Sequence, residues 1–157
     1  MTDIWDKILK GLFAVAGAIS GALGGWDALL RVLCAFMVID YATGLIVGGM
    51  GRSAKTQGGG LDSKVGFIGL LKKAMMLTMV FMAAMLDSAL SPDMAVFRNM
   101  MMAFYIANEG LSILENLALA GVPFPAFIKT ALEQIRERSD EMAEDAAREK
   151  ERDTMDK

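Results

Sequence analysis

Histidine is absent from this chain of 157 residues, and cysteine occurs once, at Cys34. Without a histidine there is no Ser–His or Cys–His pair for nucleophilic catalysis, and a single cysteine rules out an intramolecular disulfide and the Cys/His sets that hold zinc. The chain also lacks a phosphate-binding loop: Gly58, Gly59 and Gly60 are followed by Leu61 and Asp62, which fits neither nucleotide fingerprint. Its acids show no Glu-x-x-His pattern for a metal between helices. Basic charge is not in excess, since the net charge is −3, so nothing points to nucleic acid. Proline (three) and tyrosine (two) are scarce. The sequence therefore reads as non-enzymatic, with no cofactor and no metal, and Cys34, set in an apolar run, reads as a small core residue.

What is abundant is apolar. Hydrophobic residues make up 54% of the chain, mean hydropathy is +0.40, and there are 14 methionines and 16 glycines, a composition suited to helices in lipid rather than strands. Charge collects at one end. Residues 129–157 hold seven Lys/Arg and ten Asp/Glu, while the remainder carries nine of each. Two parts follow: a transmembrane helical domain over 1–125 and a charged cytoplasmic tail over 126–157, helical or partly disordered.

Four apolar stretches fall at 8–25, 29–50, 74–90 (or from 65) and 94–120. A span needs about 20 residues. The second and fourth meet this; the first is Gly- and Ala-rich, and the third depends on whether Lys72 and Lys73 snorkel or lie at the interface. Tight connections separate them: Gly24, Gly25, Trp26 and Asp27; a Gly-rich loop over 51–64 with Arg52, Lys55 and Lys64; a short acidic loop with Asp87, Pro92 and Asp93; and Gly121 to Pro125. No small-residue cleavage site follows Asp3, Asp6, Lys7 and Lys10, so insertion is expected to rest on internal spans. Lys7, Lys10, the 51–64 loop with Lys72 and Lys73, and the tail from Lys129 fall on one side, which the positive-inside rule makes cytoplasmic. The expected fold is an all-α integral membrane helical bundle of about four spans, both termini cytoplasmic, plus a charged C-terminal helix. The alternative has three spans, with the first helix lying on the membrane.

Within the fourth stretch the polar residues do not scatter. Tyr105, Asn108, Glu109, Ser112, Glu115 and Asn116 recur at helical spacing and share an arc of roughly 120°. Ionisable groups at membrane depth are costly and usually face a protein interior or water. The stripe could line a lumen, form a structural network with Arg98 and other spans, or relay protons; the last has little protein around it for a coupled substrate. Asp40, near the middle of the second stretch, is placed to pair with Lys72 or Lys73 from a neighbouring antiparallel helix. Gly17, Gly21 and Gly25, with Gly44 and Gly48, form small-residue faces that let helices approach closely, either within the chain or between subunits. In the tail, Ile128, Leu132, Ile135, Ser139, Met142 and Ala146 step by three and four, a seam suited to a cytoplasmic coiled coil between subunits or to a solvated helix.

Three stretches together resemble a known family. Residues 39–44 read Ile-Asp-Tyr-Ala-Thr-Gly, residues 63–73 Ser-Lys-Val-Gly-Phe-Ile-Gly-Leu-Leu-Lys-Lys, and residues 108–116 Asn-Glu-Gly-Leu-Ser-Ile-Leu-Glu-Asn, followed by Gly121, Val122 and Pro123. This succession resembles the phage holin family that includes toxin-secretion and phage-lysis holins, over roughly residues 29–133. The positions carrying the resemblance are Asp40, Gly44, Lys64, Gly66, Lys72, Asn108, Glu109, Ser112, Glu115 and Asn116. It implies a homo-oligomer of the bacterial inner (cytoplasmic) membrane whose partners are the lipid bilayer and other copies of itself. It further implies pores or lesions that release an endolysin, or a toxin, without necessary direct contact. The alternatives are a small ion channel or transporter subunit, and an antiholin-like membrane scaffold.

Overall fold

The computed structural model describes residues 2–90 and 94–155. Among them are five helices and no strand: α1 (Thr2–Ala22), α2 (Ala28–Gly49), α3 (Ser63–Leu90), α4 (Val96–Ala120) and α5 (Ala126–Met155). The Pro92 and Asp93 part of the acidic loop lies outside the described residues.

Local chemistry sets the helix ends. Asp27 is the N-cap of α2, its Oδ1 accepting from the Leu30 N–H at 2.8 Å. Asp62 Oδ1 accepts from the amides of Lys64 (2.7 Å) and Val65 (3.2 Å) and so opens α3 at Ser63, close to the earlier of the two starts considered, 65 rather than 74. Lys72 and Lys73 therefore sit inside a 28-residue helix about 42 Å long rather than before a shorter one. α4 borrows its cap: the buried Asp87 of α3 accepts from the amides of Phe97 (2.9 Å) and Arg98 (2.8 Å). At its other end Gly121 takes a left-handed conformation, with amide bonds from Gly121 to Ala118 O (3.0 Å) and from Val122 to Leu117 O (2.9 Å). Pro123 and Pro125 follow and turn the chain.

α4 is the hub. It packs along α2 in a parallel sense, with Arg98 beside Asp27 and Asn116 beside Asp40, and along α3 in the antiparallel sense, with Arg98 N–H on Asp87 and Glu109 on Lys73. α2 and α3 touch each other only sparingly. An apolar cluster of Leu23, Leu30, Leu33, Met37, Val80 and Met102 fills the half nearer the start of α2, with Cys34 and Tyr105 packed against it. Away from α4 the outer faces of α2 and α3 are apolar and exposed, as at Val38 (68%), Ile46 (58%), Phe67 (61%) and Met75 (68%). α2 and α3 are the two helices that meet the length and apolarity of a membrane span. α4 falls outside that class because its charges, Arg98, Glu109 and Glu115, interrupt it.

α5 doubles back along α4. Leu132 packs on Gly110, where there is no room for a side chain: a Cβ on Gly110 would lie 2.8 Å from Leu132 Cδ1 and 3.2 Å from Phe36 Cε1. Ser139, two turns further along the seam, is buried and donates to the Ile135 carbonyl at 2.8 Å. The seam read for a coiled coil between subunits thus has an intrachain partner at Leu132; the Ala146 side chain lies outside the described residues. Among the described residues α1 makes no extensive contact with the other helices.

Candidate functional site

At the end of the molecule away from the apolar cluster, α2, α3 and α4 splay around a cavity of about 620 Å³, bounded also by residues of the 51–62 loop. Side chains of all three helices meet in it. Lys73 of α3 reaches between Asp40 of α2, Nζ to Oδ2 2.7 Å, and Glu109 of α4, with which it makes a short charge-assisted hydrogen bond. All three side chains are largely buried, at 11%, 12% and 4% exposure respectively. One ammonium serves two carboxyl groups. Asn116 completes the set: its Nδ2 donates to Asp40 Oδ1 (3.2 Å), to the Asp40 carbonyl (3.3 Å) and to Thr43 Oγ1 (3.0 Å). No buried side-chain nitrogen or oxygen among the described residues lacks a partner.

The polar stripe on α4 therefore divides. Asn108, Glu109, Ser112, Glu115 and Asn116 line the cavity, inside the subunit between α2 and α3. Tyr105 belongs instead to the apolar side, edge-on to Phe104 with ring centroids 5.5 Å apart. Of the two lysines considered for Asp40, the geometry selects Lys73; Lys72 stands exposed at the cavity wall and makes none of the ion pairs among the described residues. The choice follows from the rotation of α3. Lys73, Val80, Ala84 and Asp87 are spaced by 7, 4 and 3, so they share the face that α3 turns inward. Lys72 is about 100° away.

Arg98 does not join this cluster. It lies eleven residues from Glu109, about 16 Å along α4, and is 3% exposed at the opposite end. There its guanidinium ties the α1–α2 connection to α4: Nη1 pairs with Asp27 Oδ2 at 2.5 Å, Nη2 donates to Gly25 O at 3.0 Å, and Nε donates to Leu23 O. The Arg98 hydrogen bond holds the Asp27 carboxyl below its ordinary range, against the opposing effect of partial burial. Gly24 is required here on two counts, a positive φ of 82° and the fact that a Cβ would lie 2.7 Å from Arg98 Nε. Sequence reasoning passed over Asp27 and Asp87 as loop acids. The available signal was an acid beside a helix start, where amides are unsatisfied.

The small-residue positions also separate. Gly44 and Gly48 are filled by neighbours within the chain, Asn116 and Leu61, whereas a Cβ on Gly17 or Gly21 would meet nothing within 4 Å and Gly25 lies in the turn at φ 104°. Among the described residues no cluster of three or more acidic or cysteine side chains could hold a metal ion.

Apolar outer faces around a charged, internally satisfied centre define a helical protein built for a lipid surround. The chain belongs to the bacteriophage holin family, which matches it over residues 17–137. That is not an enzyme family, and membership implies a membrane protein. Relatives include an uncharacterized 14.9 kDa protein in the nagH 3′ region of Clostridium perfringens, 36% identical over 138 residues, covering 88% of this chain and 99% of that protein. An uncharacterized protein of Halalkalibacterium halodurans is 36% identical over 133 residues, 81% of this chain and 93% of its own. A probable holin of Bacillus phage phi105 is 32% identical over 115 residues, 73% of this chain and 79% of the phage protein. No solved structure matches.

Proposed function

We propose that copies of this chain assemble in the bacterial cytoplasmic membrane and open a water-filled pore or lesion, through which an endolysin, or a toxin, leaves the cytoplasm. α1 to α4 span the membrane in this reading, with the basic 51–62 loop on the cytoplasmic side. The observation that carries it is the placement of charge: α2 and α3 turn apolar side chains outward while Lys73 bonds both Asp40 and Glu109 inside. A subunit so arranged can enter lipid with the carboxyls of Asp40 and Glu109 shielded, and family membership with a phage relative supports the reading.

The stripe on α4 then serves the subunit first. Glu109 and Asn116 are engaged with α3 and α2, so they hold three helices in register rather than facing a neighbouring copy, while Glu115 is exposed. Assembly is left to surfaces that the subunit does not cover, among them the open small-residue face of α1 at Gly17 and Gly21.

Inducible expression in a bacterium, with and without a co-expressed endolysin, tests the reading. A pore-forming holin gives abrupt loss of membrane potential, and lysis only when endolysin is present. Graded ion flux with continued growth would replace it by the channel reading. Unchanged permeability would replace it by the scaffold reading.

A further inference from the structure

The cavity-lining part of the α4 stripe is two rows rather than one. Glu109 and Asn116, seven residues apart, lie on one line of the helix and bond Lys73, Asp40 and Thr43 inside the subunit. Asn108 and Glu115, also seven apart, lie on a second line about 100° round. Ser112 stands between the rows and hydrogen-bonds Asp40. The second row lines the same cavity, yet neither Asn108 nor Glu115 has a side-chain hydrogen bond or ion pair among the described residues, and Glu115 is exposed. Lys72 of α3 is likewise exposed on the cavity wall and unpaired among them. It lies nine residues into a helix of 28, about 14 Å from the start. A helix of about 42 Å crossing about 30 Å of hydrocarbon overhangs by about 6 Å at each end, which leaves the Lys72 backbone about 8 Å inside. Charged groups held near that depth without partners are costly. α5 leaves this side of α4 open, since Gly110, on which Leu132 packs, is about 200° round from Asn108.

This set is complementary to itself. It holds one base, one acid and one amide, and an amide both donates and accepts, so it pairs with another like it. Identical chains meeting across a two-fold axis need such a set. Copies inserted in the same sense share an axis along the membrane normal, so groups in contact must come to a similar depth. Two copies of Asn108 do so by symmetry. Lys72, exposed, is free to snorkel along α3 toward the cytoplasmic surface, and Glu115 leans the opposite way along α4, so their ends converge. We propose that Lys72, Asn108 and Glu115 form a contact between two copies of the chain, related by a two-fold axis along the membrane normal. Each Glu115 pairs with the partner's Lys72, and the two Asn108 amides face each other near the axis. The inference rests on the assembly in the reading above and deepens it: the inner row of the stripe holds the subunit together, and the outer row holds a second copy. The contact lies between copies, so it adds nothing to the unfolding of a subunit separated in detergent.

Full-length chains carrying Cys34→Ala and Asn108→Cys, oxidised in bacterial membranes and run without reductant, test it. A disulfide across the axis gives a covalent dimer. Adding Lys72→Glu or Glu115→Lys sets like charges opposite each other and should lower the dimer yield several-fold. Two differently tagged chains, one with each substitution, restore both opposite-charge pairs when co-expressed, and their mixed dimer should return to the parent yield. Rescue only when both substitutions sit in one chain places the pair inside the subunit and overturns the proposal. A yield that falls with Lys72→Glu and not with Glu115→Lys assigns Lys72 to a lipid phosphate and overturns it too. So does the absence of a dimer from the parent chain. Lysis by the unaltered chain with co-expressed endolysin, read in parallel, keeps the two readings apart. Lysis without the disulfide removes this contact alone, and the disulfide without lysis removes the pore reading alone.

Discussion

Replacing Lys73 by methionine keeps most of the side-chain volume and removes the only cation between Asp40 and Glu109. Both acids remain buried, at 12% and 4% exposure, and Asp40 keeps only neutral donors, the Asn116 amide 3.2 Å from its Oδ1 and the Ser112 hydroxyl. Breaking a buried pair from one side costs about 3–5 kcal/mol, because the partner's desolvation is no longer offset. Against a total stability of about 5–15 kcal/mol this is a large share, and for a chain of this length it corresponds to a fall in Tm on the order of 10 °C. Removing all three charges, as Asp40→Asn, Lys73→Met and Glu109→Gln, should return stability to near that of the unaltered chain, since a buried ion cluster and its neutral replacement differ little. Lys72→Met is the internal control, one residue away and exposed, and should change little. The assay is thermal unfolding in detergent micelles, read by a thiol-reactive fluorophore at the half-buried Cys34, the one thiol in the chain. If Lys73→Met unfolds within two or three degrees of the unaltered protein, or if the triple variant is as unstable as the single one, the cluster is not what holds α2, α3 and α4 together.

Gly24→Ala should cost about 2 kcal/mol or more in the same assay, from a side chain forced into a left-handed conformation and a Cβ driven against the Arg98 guanidinium; Gly25→Ala, with nothing within 4 Å of its Cβ, bears only the conformational part and should cost less. Asp27 carries the pH dependence. Its carboxyl is held below the ordinary range by Arg98, so its stabilising contribution is present above the unfolded value and disappears as pH falls through the lowered folded value. Asp27→Asn should therefore be less stable than the unaltered chain at pH 6 and should converge with it as pH drops below about 4; a gap that persists undiminished in acid would show that the contribution is not ionic.

Much of this arrangement could be read from the residues, and what escaped has physical causes. The apolar stretches mark α2 and α4 closely, because hydrophobic length is a local property. The start of α3 stayed open between 65 and 74, since Lys72 and Lys73 look like the edge of a span; the Asp62 cap, two residues before the amide it binds, is the local signal for the earlier start. Asp40 advertised a cationic partner by its depth, but which lysine answers depends on how α3 is rotated, a tertiary property fixed by Val80, Ala83, Ala84 and Asp87 together. Arg98 was grouped with the stripe on chemical type alone; distance along α4 separates them. The seam on α5 was visible as a request for an apolar partner, but a seam does not say whether that partner is another copy or the preceding helix. Gly110, lacking a side chain where Leu132 settles, is the complementary half of that signal.

The Arg98 contacts carry a consequence for how relatives are free to vary. Two of its three acceptors, Leu23 O and Gly25 O, are main-chain carbonyls, which every residue type supplies. Positions 23 and 25 therefore owe this contact nothing of their side chains, while position 24 must have none. In homologous chains an arginine at this place on α4 should travel with a glycine at the middle of the α1–α2 turn and an acid at the following N-cap, and a relative that loses the arginine releases the glycine first.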